Sequence, residues 1–418
     1  MLDLESSPFK FSTTKRRDSV FGFPTWPWIT YAEDYEPRED EMELLSNMTI
    51  VSQYSINHSR FVNTRLIGHS TEQYLYISFK LAHSIGHFNP VCIHHIPTLP
   101  RYSKMPSLQR PLTRGVYTAS LVFFHLNSED IDVEAIHKHT INLANAGISG
   151  FVVMGSNGEA PHLSIEERGA VIRETRSALD SIGKTYYPII AGCSEQSVRG
   201  TVNLCRQAAA AGSDYALVLP PCYFRGGMTP GVIEDFYKDV ADQSPIPIIL
   251  YSFPSVVSGI DLSSDLLIRV SQHPNVVGTK FTCADTGKLN RVASAMEKSG
   301  PYSTFGGLAD FILPALVSGA TGVIAGGGNI APQTCVRVLQ LWQDGKLKEA
   351  QELQRVLATG DWEHTKMGIS GTKAVLEQHV GYGGVPRRPL KGIDDASMSG
   401  MLKAIKPLMD LESRLGKL

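Results

Sequence analysis

From Gly115 onward, short apolar runs alternate with longer segments whose apolar residues recur every three to four positions. An unbroken or alternating apolar run marks a buried strand, and the longer period marks a helix lying on it. Eight runs read as strands, at 115–124, 150–155, 187–193, 215–220, 247–253, 276–282, 302–306 and 322–326. Amphipathic helices are expected between them, among others at 130–145, 164–179, 195–211, 229–242 and 263–272. Ser164-Ile165-Glu166-Glu167 has the form of a helix start with acids in its first turn. Ala146-Gly147, Ala211-Gly212 and Ser318-Gly319 fall where helices should stop, and glycine suits the left-handed cap there. The alternation predicts an α/β fold with a parallel sheet. Eight units predict a closed (β/α)8 TIM barrel, with a doubly wound open sheet as the alternative.

The pattern changes at both ends. Residues 1–104 carry an acidic cluster around Glu33–Glu43 and scattered histidines, with no sustained helical period and no regular strand spacing. They are expected to be a disordered extension, or a gene-model artefact with Met105 as the natural start. The barrel is then assigned to 105–345. Residues 346–418 read as a C-terminal helical appendage, with helices at 347–358, 362–379 and 397–415.

Composition narrows the function. The net charge of -2 and the absence of basic runs give no footprint for nucleic acid. No stretch approaches the roughly 18 consecutive apolar residues of a membrane span. The six cysteines form no C-x-x-C pair, which argues against a disulfide framework or structural zinc. Asp3 and Glu5 at the start suit neither an export signal nor an acid-poor transit peptide, so the cytosol is favoured over the mitochondrion.

In such barrels chemistry gathers at the C-terminal ends of the strands. Lys280 ends one run, and a lysine there is often only the solvated end of a strand. Its chemical reading is a buried amine that attacks a ketone and forms an imine, which then serves as an electron sink. Tyr251 ends the preceding run. Most such tyrosines pack a ring, but imine chemistry needs a proton shuttle, and a phenol on the neighbouring strand supplies one. Gly155-Ser156-Asn157-Gly158-Glu159 follows the second strand. A glycine-rich turn there is weak alone, yet its backbone N–H groups and the Ser156 hydroxyl suit a carboxylate. Glu159 is read as a structural carboxylate that orders the loop.

Together these residues resemble the dihydrodipicolinate synthase / N-acetylneuraminate lyase superfamily of class I, pyruvate-dependent aldolases. The resemblance spans about 115–389 and rests on the GSNGE loop, the LYSFP segment and the sixth-strand lysine in order. The wording around Pro221-Cys222-Tyr223-Phe224-Arg225-Gly226 and Ser271-Gln272-His273-Pro274 looks most like the 4-hydroxy-2-oxoglutarate aldolase group. The resemblance implies that Lys280 forms the imine, that Tyr251 relays protons, and that Tyr223 completes the relay from a neighbouring subunit. It implies that Ser156 and Asn157 hold the pyruvate carboxylate and that Thr282, two residues past the lysine, contacts substrate. It further implies a small-molecule 2-keto acid as partner, no metal or cofactor, and a homo-oligomer, usually a dimer of tight dimers.

Three departures bear on these roles. Val122-Phe123-Phe124 stands where the family commonly has Thr-Pro-Phe, which would remove a hydroxyl near the barrel mouth. Val256-Val257 stands where dihydrodipicolinate synthases carry an arginine that grips a carboxylate, which argues against that activity. Ala325-Gly326-Gly327-Gly328 closes the eighth strand and is expected to widen the pocket. The leading expectation is therefore cleavage of a 4-hydroxy-2-keto acid, such as 4-hydroxy-2-oxoglutarate, to pyruvate and an aldehyde. The alternatives are a 2-keto-3-deoxy sugar-acid aldolase, an imine-dependent hydratase or dehydratase, and a non-catalytic keto-acid sensor.

Overall fold

The computed structural model describes residues 110–416 and, before them, four strands: β1 (Thr49–Asn57), β2 (Arg60–His69), β3 (Glu72–Lys80) and β4 (Val91–Ile93). These four pair in sequence order as an antiparallel sheet. The sequence pattern shows no regular strand spacing here. One physical reason is that the two residues between successive long strands, His58-Ser59 and Ser70-Thr71, carry none of the Asn-Gly or Asp-Gly hairpin signals. The rest of residues 1–109, including the acidic cluster, lies outside the described residues.

The second unit of the chain contains the barrel. Its strands are β5 (Gly115–Ala119), β6 (Gly150–Val153), β7 (Ile189–Gly192), β8 (Tyr215–Val218), β9 (Ile248–Ser252), β10 (Val276–Phe281), β11 (Ser303–Gly306) and β12 (Gly322–Ala325). All pair in parallel, and β12 closes on β5. The predicted (β/α)8 barrel is the fold. Its interior is filled by Tyr117, Ala119, Val152, Ile190, Tyr215, Leu217, Ile249, Tyr251, Phe305 and Ile324. At the N-terminal end, Tyr117 donates to the Thr113 carbonyl and Tyr215 to the Arg110 carbonyl, so the segment before β5 is tied to the barrel interior.

Helices α1 (Val133–Asn145), α2 (Ile165–Ser181), α3 (Val198–Ala211), α4 (Pro230–Gln243), α5 (Ser264–Val270), α6 (Thr286–Met296), α7 (Ile312–Val317) and α8 (Pro332–Gln343) follow the strands in turn. Their starts are written locally: Asp132, Ser164, Ser197, Thr229, Ser263 and Asp285 each accept a backbone N–H two to three residues into the helix. Ser164 and Glu167 form the reciprocal capping box. Gly147, Gly212 and Gly319 all take positive φ, as the helix stops require.

Two predicted boundaries move. The first strand ends at Ala119 rather than at 124, because Leu121, Val122, Phe123 and Phe124 leave the sheet and bury themselves in the layer outside the barrel. The break expected near residue 360 is absent: α9 runs unbroken from Leu347 to Thr365. Gly360 is there because a Cβ would fall 2.5 Å from Leu408 of α11 (Asp395–Leu415), which crosses it closely. Between them lies α10 (Gly368–Val380).

Candidate active site

Lys280 and Tyr251 meet at the C-terminal ends of adjacent strands. They are directly paired in the β10–β9 ladder, and parallel pairing puts both side chains on the inner face. The register depends on a bulge in β10 between Val276 and Gly278. Without that extra residue, Thr279 would stand opposite Tyr251 and Lys280 would point to the other face. The bulge left no signal in the sequence pattern. Lys280 is 4% and Tyr251 3% exposed. The lysine Nζ donates to the tyrosine hydroxyl at 3.3 Å and lies 4.4 Å from the ring centroid. Among the described residues no carboxylate pairs with Lys280, so none competes with a carbonyl for its nitrogen.

The loop 154–159 winds tightly after β6. Met154 and Glu159 hold positive φ of 53° and 50°, unusual for side-chain-bearing residues and a sign that the surroundings fix the turn. Gly192 admits the Met154 carbonyl, where a Cβ would sit 1.8 Å away. Ser156 and Asn157 are half-buried. Among the described residues their side chains and backbone N–H groups have no hydrogen-bond partner, which leaves donors free for an anion.

Glu159 is anchored from the C-terminal helices. Its carboxylate takes Lys373 Nζ of α10 at 2.7 Å, the Arg387 backbone N–H at 2.9 Å and His162 Nδ1 at 3.0 Å. Both partners of the Glu159–Lys373 pair are fully buried. Burial pulls Lys373 below the usual lysine range, opposed by Glu159. Lys373 and Arg387 also flank the Phe124 ring at 4.5 and 4.3 Å. Glu159 thus orders the loop, as its sequence context suggested. Removing one partner strands a buried charge, so Lys373→Met is expected to cost about 3–5 kcal/mol. The double change with Glu159→Gln should recover most of that, as denaturant titration would check.

One sequence expectation is corrected around the mouth, and two are made more specific. Val122, at the position of the family's threonine, is buried in the apolar layer outside the barrel, where the Phe123 ring packs on His139 and Tyr382 at 5.2 and 5.5 Å. The glycines after β12 are not open space: a Cβ at Gly326, Gly327 or Gly328 would meet Asn157 Nδ2, Asp361 Oδ1 or the Thr118 hydroxyl at 2.4, 2.3 and 2.6 Å. They admit side chains rather than widen a pocket. Of the valine pair only Val256 is exposed, at 43%, while Val257 is core.

Thr282 continues the β10 ladder by one bond, its N–H donating to the Ser252 carbonyl. Its hydroxyl is buried and has no hydrogen-bond partner among the described residues, and Gly307 leaves room for it. Tyr223 does not join the cluster within the chain. It is 79% exposed on the loop after β8, beside the equally bare Phe224.

Sequence reasoning missed Asn329, which ties the ends of β5 and β12 together. Its amide nitrogen donates to the Ala119 and Gly326 carbonyls, and its oxygen accepts from Leu121 N–H and His139 Nε2. That fixes the His139 tautomer, so Nδ1 accepts from the Tyr382 hydroxyl, which in turn accepts from Asn142. Burial pushes His139 down to about 4. A neutral buried histidine releases protons on folding, so stability is full above about pH 6.5 and falls as pH drops toward 4. The loss should total about 3 kcal/mol. His139→Gln is expected to flatten that slope in unfolding free energy measured across the window.

The sequence profile of the Dihydrodipicolinate synthetase family matches residues 112–407. The chain belongs to this family. An L-threo-3-deoxy-hexylosonate aldolase of Hypocrea jecorina is 50% identical over 307 residues, 72% of this chain and 98% of that protein. A relative from Emericella nidulans, named for a "4-hydroxy-2-oxoglutarate aldolase, mitochondrial", is 45% identical over 307 residues, 73% of this chain and 98% of its own length. A solved dihydrodipicolinate synthase family protein from Coccidioides immitis superposes with a TM-score of 0.64 at 32% identity, covering 72% of this chain and 97% of that one. Like its aldolase relatives, the chain is a carbon–carbon lyase. No described helix is long and apolar enough to cross a membrane.

Proposed function

We propose that the protein cleaves a 4-hydroxy-2-keto acid to pyruvate and an aldehyde through an imine on Lys280. The observation that carries this reading is the buried Lys280 amine, without a carboxylate partner among the described residues and hydrogen-bonded to Tyr251 at 3.3 Å. Lys280 adds to the C2 carbonyl, and the carbinolamine loses water to give the iminium. A base takes the C4 hydroxyl proton, the C3–C4 bond breaks, and the aldehyde leaves while its electron pair forms an enamine. Protonation at C3 and addition of water release pyruvate and the free amine. Tyr251 is the group placed to carry these protons. The unpartnered donors of Ser156 and Asn157 hold the carboxylate, and the idle Thr282 hydroxyl contacts the substrate. Tyr223, bare in its own chain, serves the site of a neighbouring subunit in a homo-oligomer.

4-Hydroxy-2-oxoglutarate and a 2-keto-3-deoxy hexonate share the reacting atoms and differ beyond C4, in a carboxylate or a neutral polyol. The second substrate is favoured by the 50% identical relative and by Val256, which offers no cation to a distal carboxylate. Pyruvate release from both compounds decides between them. Release from neither, by folded protein, would refute the activity.

We favour the cytosol over the mitochondrion, the compartment in the Emericella relative's name. Cell fractionation separates the two. Residues 1–104 lie outside the family match, in keeping with a catalytic unit that starts near Met105 and continues into the C-terminal helices. Abundant native peptides from 1–100 would overturn Met105 as the start.

A further inference from the structure

We propose that Gln196 is the positioning residue for Tyr223, holding the loop after β8 so that the phenol is presented outward at a fixed place. This rests on the reading that Tyr223 joins the proton relay. The side-chain oxygen of Gln196, on the loop after β7, accepts the backbone N–H groups of both Cys222 and Tyr223, at 2.8 and 2.9 Å. Two residues earlier, the Ser194 hydroxyl accepts the Leu219 N–H at 2.8 Å. One loop therefore serves as a template for the next.

The rest of the β8 loop is stiff in the same places. Pro220-Pro221 restrict the backbone before Cys222. Beyond Tyr223, turn bonds from Gly227 to Phe224 and from Met228 to Arg225 close the loop, and Arg225 Nε donates to the Ser258 carbonyl at 3.2 Å. The Tyr223 backbone is held on both sides, yet its ring is 79% exposed and touches Phe224 edge-on at 5.1 Å. Among the described residues its hydroxyl has no hydrogen-bond partner. A fixed backbone with an unused phenol is the arrangement needed when the hydroxyl acts outside its own chain. Ordering a glutamine side chain costs entropy, and each neutral hydrogen bond returns only a modest net gain. Since Gln196 is itself exposed, its loss costs little stability, whereas a displaced catalytic group costs rate.

The test compares Gln196→Ala, Gln196→Glu, Tyr223→Phe and the double variant Gln196→Ala/Tyr223→Phe in the full chain. Pyruvate release is followed with 4-hydroxy-2-oxoglutarate and a 2-keto-3-deoxy hexonate, using whichever the unaltered protein cleaves. Gln196→Ala should lower kcat by about 10- to 100-fold with little change in KM. Gln196→Glu, which keeps an oxygen for both N–H groups, should restore most of the rate. The double variant should be no slower than Tyr223→Phe alone. A normal kcat in Gln196→Ala beside a slow Tyr223→Phe would overturn the positioning role and leave the relay intact. A normal kcat in Tyr223→Phe would overturn both. Failure of Gln196→Glu to recover, or multiplicative losses in the double variant, would also overturn the proposal.

Discussion

Lys280→Met is expected to lose about 10⁴-fold or more in kcat/KM for pyruvate release, the largest effect of any single substitution in the chain. The size follows from the role, since without the amine there is no imine and the electron pair of the breaking C3–C4 bond has no sink. The change should not be a folding change. Lys280 is 4% exposed and its side chain donates to Tyr251, so a methionine of similar length fills the same space. Replacing a buried polar group by an apolar one of like volume is often neutral or stabilising. Circular dichroism and thermal midpoint should therefore match the parent protein. Retention of activity within tenfold would mean that the chemistry lies elsewhere.

Tyr251→Phe is expected to lower kcat by about 10²- to 10⁴-fold, the range for a positioned acid–base group. It removes a single oxygen and keeps the ring, which packs on Phe253 at 5.7 Å. The variant separates proton transfer from covalent capture. Lys280 remains in place, so an imine with pyruvate still forms, more slowly, while turnover is lost. Unchanged kcat would move the relay away from Tyr251, and complete loss of imine formation would make the phenol a support for Lys280 instead.

The strands, the glycine helix stops and the inward pair were legible because each is written over a few consecutive residues. Glycine after the last helical residue, or lysine at the end of an apolar run, carries its meaning locally. The bulge at β10 is as close to Lys280 as any feature, yet Val276-Val277-Gly278 reads as uninterrupted strand. The remaining misses are long-range contacts. Glu159 and Lys373 are 214 residues apart, and no periodicity predicts that a helix of the appendage clamps the carboxylate loop. The glycines at 326–328 looked like emptiness because a sequence cannot say which side chains come to fill them. The gap expected between 358 and 362 is closed by helix, and Gly360 within it is explained only by Leu408 on a later helix.

The imine on Lys280 is tested most directly by incubating the full chain with pyruvate and borohydride, then locating the reduced adduct by peptide mass spectrometry. The predicted result is one pyruvate adduct per chain, on the peptide carrying Lys280, with activity lost in proportion and no adduct in Lys280→Met. Folded protein that acquires no adduct, or acquires it on another lysine, would contradict the mechanism.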